Sequence, residues 1–137
     1  MDEREKIQKE LLKEHPILDL VSFNEIDMQE KLKENAFLLV KYQDFYNTEN
    51  KIYEELMEMY ESLEGSRYDH YRFHEDKSLT KVEIEKYYLV NDKEIRQMKR
   101  ILRKQMVRVE FFDMCIKGLK QMGWNMKVFS DNERRGL

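Results

Sequence analysis

Ile95-Arg96-Gln97-Met98-Lys99-Arg100-Ile101-Leu102-Arg103-Lys104-Gln105-Met106-Val107-Arg108-Val109-Glu110-Phe111-Phe112-Asp113-Met114-Cys115-Ile116 is the stretch on which the fold turns. Ile95, Leu102, Val109 and Ile116 recur every seven residues. Met98, Phe112 and, just beyond, Leu119 fill the intermediate position, with Gln105 as its polar exception. A seven-residue apolar repeat lines up along one side of a helix and seeks a facing helix. The stretch therefore reads as a long amphipathic helix.

Working backward, Ser22 with Glu25 has the spacing of a capping box, and neither Pro nor Gly follows until Gly65. Within that span Leu32, Leu39, Tyr46, Tyr53 and Tyr60 fall seven apart. Met28, Tyr42, Leu56 and Leu63 lie between them, interrupted by Asn35 and Glu49, and Leu38, Phe45, Ile52 and Met59 widen the stripe. A stripe this broad needs more than one neighbour, as in a bundle or an oligomer interface. Ahead of it, Ile7 and Leu11 share one side of a short helix over residues 2–14, which His15-Pro16 ends.

From Gly65 to Ser78 the periodicity fails and a loop or helix end is expected. Thr80 with Glu83 is a second capping box, opening a short helix through Val82, Ile84, Tyr87 and Tyr88, although the alternation of Val82, Ile84 and Tyr88 also suits a strand. Asn91 with Glu94 caps the last long helix, for which Gly123 is the natural stop; Asp131 onward reads as a frayed tail.

Composition agrees with few, long elements. In 137 residues there are 4 Gly and 1 Pro, and 39% charged residues stand against 41% apolar. The expectation is an all-α chain, residues 1–137 forming a single helical domain, with long amphipathic helices packed as a bundle in a homo-oligomeric ring. The net charge of -3 divides unevenly: residues 1–64 hold 17 acidic and 8 basic side chains, residues 65–137 hold 11 and 17. An acidic half repels nucleic acid, whereas a basic half neutralises phosphates. One cysteine, Cys115, excludes an intrachain disulfide and reads as packing. The longest apolar run, residues 36–40, falls far short of the ~20 residues of a membrane span, and the amino terminus lacks a signal peptide's apolar run. A cytoplasmic protein without membrane contact is expected.

Chemistry has no visible home. A glycine-rich phosphate loop and a nucleophile elbow are missing, and acidic pairs such as Glu54-Glu55 read as a solvated helix face. His70 and His74 stand four apart beside Asp69 and Glu75, yet the spacing is not that of a zinc helix, so neither metal nor cofactor is expected and the chain reads as a non-enzyme. Two regions suit nucleic acid. Arg67, Tyr68, His70, Tyr71, Arg72 and Phe73 interleave cations with rings, as needed to hold phosphates and stack unpaired bases. Lys93, Arg96, Lys99, Arg100, Arg103, Lys104 and Arg108 gather on the last helix, five of them at i, i+3, i+4, i+7 and i+8 from Arg96. Such a face can equally pair with acidic helices, which leaves open a structural coiled-coil adaptor that never meets DNA.

At these residues the chain resembles the UvsY family of phage recombination mediators. Asn91-Asp92-Lys93-Glu94-Ile95, Glu110-Phe111-Phe112-Asp113-Met114-Cys115 and Met122-Gly123-Trp124-Asn125-Met126-Lys127 follow the family's order, and Arg67-Tyr68-Asp69-His70-Tyr71 looks like its short basic motif. The motif's lysine corresponds here to Gly65, which shifts weight onto Arg72 and the 96–108 face. The resemblance implies a ring-like homo-oligomer, a hexamer or heptamer, in the cytoplasm of an infected host cell. It further implies binding to single-stranded DNA and contact with a phage recombinase and a phage single-strand-binding protein, the first being helped to replace the second. The DNA-binding candidates are Arg67, Tyr68, His70, Tyr71, Arg72, Lys99, Arg100, Arg103 and Lys104. For assembly, the two seams nominate Leu39, Tyr46, Tyr53, Leu56, Tyr60, Ile95, Leu102, Val109, Phe112 and Ile116.

Overall fold

The structure, a computed structural model, describes residues 2–24, 26–74 and 79–136, with only the backbone of His74. Among the described residues the chain is helical and contains no strand. In order come α1 (Glu3–Glu14), α2 (Ile17–Leu20), α3 (Met28–His74), α4 (Lys81–Glu83), a π-helical segment (Ile84–Leu89) and α5 (Lys93–Arg134). Two compact units result, Met1–Glu49 with Val107–Leu137, and Asn50–Met106; α3 and α5 each contribute to both.

In the first unit, Asp2 starts α1 by accepting the Glu5 amide at 2.7 Å, and Leu11 is fully buried. Pro16 ends α1 as expected, and one further turn, α2, brings Ile17 and Leu20 onto the same core. That core is Tyr42 and Met28 of α3 against Phe111, Phe112, Cys115, Ile116, Leu119, Met122 and Met126 of α5. Burying side chains of this size stabilises by roughly 1.5–3 kcal/mol each. Rings of His15, Tyr42, Phe45 and Phe112 cluster at its heart, with centroids 5.1–5.6 Å apart between His15 and the other three.

The two polar residues that interrupt the α3 seam each meet α5. Asn35 donates its amide to the Leu119 carbonyl at 3.0 Å, and Glu49 accepts from Arg108 at 2.8 Å. A polar group inside an apolar seam is tolerated when it finds such a partner, and it then sets the register.

In the second unit, Ile84 and Leu89 of the π-helical segment and Ile95 of α5 are buried together, flanked by Tyr60, Leu63, Tyr68 and Tyr71 of α3 and by Leu79. Thr80 caps α4 as its spacing predicts, accepting the Glu83 amide at 3.2 Å and donating to the Glu83 carboxylate at 3.0 Å. The helical reading of residues 80–90 is correct; the capping spacing carries no sign of its π form.

Several boundaries differ from expectation. Glu25 of the expected Ser22 box lies outside the described residues; the turn before α3 is built by Asn24, which accepts the Ile26 and Asp27 amides, and by Asp27, which accepts the Asn24 amide. Gly65 neither ends α3 nor opens a loop, and the helix runs on through Arg67, Tyr71 and Arg72 to His74. Asp92, not Asn91, caps α5, accepting the Ile95 amide at 3.0 Å, while Asn91 turns back to the Tyr87 carbonyl. Nor does α5 stop at Gly123: a Cβ there would sit 2.6 Å from Asn35 Oδ1, so this glycine admits a neighbouring side chain. The left-handed glycine after α5 is Gly136, at φ 71°, and the expected frayed tail is helical as far as Arg134.

The seam residues nominated for assembly fall into two groups. On α5, Ile95, Leu102, Val109, Phe112 and Ile116 are all buried within the single chain. Leu39, Tyr46, Tyr53, Leu56 and Tyr60 of α3 are half-buried.

Candidate nucleic-acid interface

All of the nominated DNA-binding residues fall in the unit Asn50–Met106. The buried seam of α5 takes Ile95, Met98, Leu102 and Gln105 inward, and the helical period then forces the intervening positions out. Arg96, Lys99, Arg100, Arg103 and Lys104 are exposed accordingly. Among the described residues, Arg96, Lys99, Arg100 and Arg103 form no ion pair. Arg108, at the far end of the run and in the other unit, is taken up by Glu49.

The cluster on α3 is arranged differently from its sequence reading. Arg67 donates from Nε to Asp92 Oδ2 at 2.7 Å, and the Tyr71 hydroxyl donates to the same oxygen at 2.5 Å. The guanidinium also lies over the Tyr71 ring, 5.3 Å from its centroid. Burial pushes the Asp92 carboxyl up, but hydrogen bonds from Tyr71, the Ile95 amide and Arg67 outweigh it and hold the group at about 2. For Tyr71, burial and the Asp92 carboxylate push the phenol up. Asp92 thus stays charged although nearly fully covered, because three donors surround it.

Tyr68 is half-buried and packs against Ile84, Leu89 and Ile95. The His70 ring meets Tyr71 edge-on at 5.3 Å. His74 lies outside the described side chains, and among the described residues no group of three or more metal-ligating side chains gathers. Of the cluster, Arg72 is exposed and carries its guanidinium 5.5 Å from the centroid of Phe73, itself 68% exposed. Tyr87 on the π-helical segment, which in sequence reads as a helix-packing residue, is 65% exposed. Asp92 has no sequence signal as the hub, because adjacent Asn and Asp are equally good caps and nothing local says which one also meets α3. No described helix is long and apolar enough to cross a membrane.

The sequence model of a family described as "Recombination, repair and ssDNA binding protein UvsY" matches residues 17–135. The chain belongs to the UvsY family. The fold agrees: this UvsY-family chain superposes on the crystal structure of the bacteriophage T4 recombination mediator protein UvsY with a TM-score of 0.76 at 16% identity, covering 95% of this chain and 98% of that one. No curated protein sequence matches the chain. Membership of the UvsY family rests on the sequence match, and at this identity the superposition speaks for the all-α fold.

Proposed function

We propose that this UvsY-family chain is a recombination mediator that binds single-stranded DNA and helps load a phage recombinase in place of the single-strand-binding protein. The observation that carries the reading is the α5 face, where Arg96, Lys99, Arg100 and Arg103 are exposed without ion-pair partners among the described residues. Such a face holds phosphates without reading bases, which a mediator acting on any sequence requires. Lys104 and, on α3, Arg72 are exposed cations of the same unit. Phe73 and Tyr87 offer ring faces on which unpaired bases can stack.

Assembly into a ring of six or seven copies belongs to the same reading. The unit Met1–Glu49 with Val107–Leu137 leaves Phe37 (68% exposed), Val40 (72%) and Trp124 (61%) uncovered, apolar surface for a second copy. Repetition of a weak phosphate site around a ring multiplies it through effective concentration, and a strand so bent or stretched is easier to take from a resident protein. No bond chemistry is required.

The test is binding to a labelled oligothymidylate as salt is raised, with light scattering on the same sample. A steep fall in affinity and a particle several times the 17.0 kDa chain are expected. Absence of binding at low salt would leave the coiled-coil adaptor as the better reading.

A further inference from the structure

We infer that Arg67 and Tyr71 serve DNA binding as positioning residues, fixing Asp92 at the start of α5 so that the α5 cations and Arg72 engage one strand together. This rests on the DNA-binding reading above and reverses the sequence assignment of both residues as direct contacts.

Five observations carry it. The Arg67 Nε is spent on Asp92, and its side chain is only 26% exposed. The Tyr71 ring is crowded: the Arg67 guanidinium, His70 and Tyr88 each lie 5.3 Å from its centroid, whereas a stacked base needs an open face. Asp92 joins two helices, one carboxylate oxygen accepting both α3 donors and the other capping the Ile95 amide. The Asp92 carbonyl also accepts the Arg96 amide at 3.0 Å, so the first exposed cation of the face belongs to the turn that Asp92 starts. Tyr71 is followed directly by exposed Arg72. The anchor therefore sets how the end of α3, which carries Arg72, meets the first turn of α5, which leads into Arg96. Phosphate binding by cations on two helices is mutually reinforcing only when that geometry is kept.

The two assignments make opposite forecasts. An acid beside a phosphate-binding surface normally weakens it, so with Arg67 as a direct contact Asp92→Asn should tighten binding by freeing the guanidinium. With Arg67 as a positioning residue, Asp92→Asn should weaken it. Tyr71→Phe is the milder probe, since it keeps the ring and removes only the hydroxyl that Asp92 accepts. It alters no charge, so any flattening of its salt slope reports phosphates that cations elsewhere on the surface no longer neutralise. Each such phosphate removes about 0.7 from the slope of log affinity against log salt for a single strand.

The experiment measures oligothymidylate binding across a salt series for the full chain and for Tyr71→Phe, Asp92→Asn and Arg67→Ala, with circular dichroism and light scattering on each. A several-fold loss and a flatter slope for Tyr71→Phe and Asp92→Asn, at unchanged helicity and particle mass, are expected. Adding Asp92→Asn to Arg67→Ala should cost little more, because both break one linkage. Wild-type binding together with undiminished affinity in Tyr71→Phe or Asp92→Asn overturns the inference alone. A wild-type chain that does not bind at all removes the DNA reading, and the inference with it.

Discussion

Asn35 and Gly123 share one place between α3 and α5: the Asn35 amide reaches the Leu119 carbonyl at 3.0 Å only because the neighbouring glycine has no Cβ, which would lie 2.6 Å from Asn35 Oδ1. Gly65 is the opposite case, a mid-helix glycine with nothing within 4 Å of a Cβ. Alanine should therefore act with opposite sign at the two sites. Gly65→Ala should stabilise by roughly 0.5–1 kcal/mol, the gain of removing a glycine from a helix interior. Gly123→Ala gains the same propensity but must displace Asn35, and overpacking of about 1–3 kcal/mol outweighs it. Urea midpoints of the two variants should move in opposite directions, and a shared direction would refute the packing role of Gly123.

Glu49 and Arg108 form a partly buried pair at 2.8 Å. Removing the carboxylate with Glu49→Ala leaves a half-covered guanidinium, at a cost of about 1–3 kcal/mol. DNA affinity should be little changed by this substitution, because Arg108 is committed to packing. A marked gain in affinity on Glu49→Ala would return Arg108 to the binding face.

Leu102 and Val109 are 9% and 5% exposed in the single chain. Aspartate at either position buries a charge among apolar side chains, so Leu102→Asp and Val109→Asp should lose helicity, not merely dissociate the particle. Circular dichroism decides it: a fully helical but smaller species would place the seam between subunits.

His15 lies in the ring cluster with Tyr42, Phe45 and Phe112, and burial, aided by Lys41 and Arg108 against an opposing Glu14, pushes its imidazole below the ordinary value. The folded chain then binds a proton less readily than the unfolded one. Its stabilising contribution is complete above the unfolded value of about 6.5 and is lost as pH falls toward the lower folded value. The urea midpoint should drop between pH 7 and 5, and His15→Gln should flatten that dependence. Equal slopes for the two proteins would rule His15 out as the source.

Arg100→Ala with Arg103→Ala tests the α5 face itself. Neither residue is buried or paired among the described residues, so the particle should survive while the salt slope flattens by about 0.7 for each phosphate left without its cation. Dissociation of the particle with undiminished binding per particle would assign the face to subunit packing.

The all-α class, the long helices and the apolar sides of α3 and α5 follow from the amino-acid sequence alone, because heptad spacing and the scarcity of Gly and Pro are local properties that one helix satisfies by itself. The basic run of residues 96–104 is legible for the same reason: once Ile95, Met98 and Leu102 turn inward, the 3.6-residue period leaves the cations outside. Where the two long helices stop is not legible. Gly65 and Gly123 look like terminators in sequence, but a glycine ends a helix only if no tertiary contact makes continuing worthwhile, and both helices run on. Only the tertiary structure decided what Arg67 and Tyr71 do. Their pattern of cation and ring is the one that suits phosphate and base, and nothing within residues 67–73 announces that Asp92, twenty-odd positions on, will be brought within hydrogen-bonding distance of both. A buried carboxylate recruits the nearest donors because leaving it unpaired costs several kcal/mol, and which donors are nearest is a property of how two helices pack, not of either one.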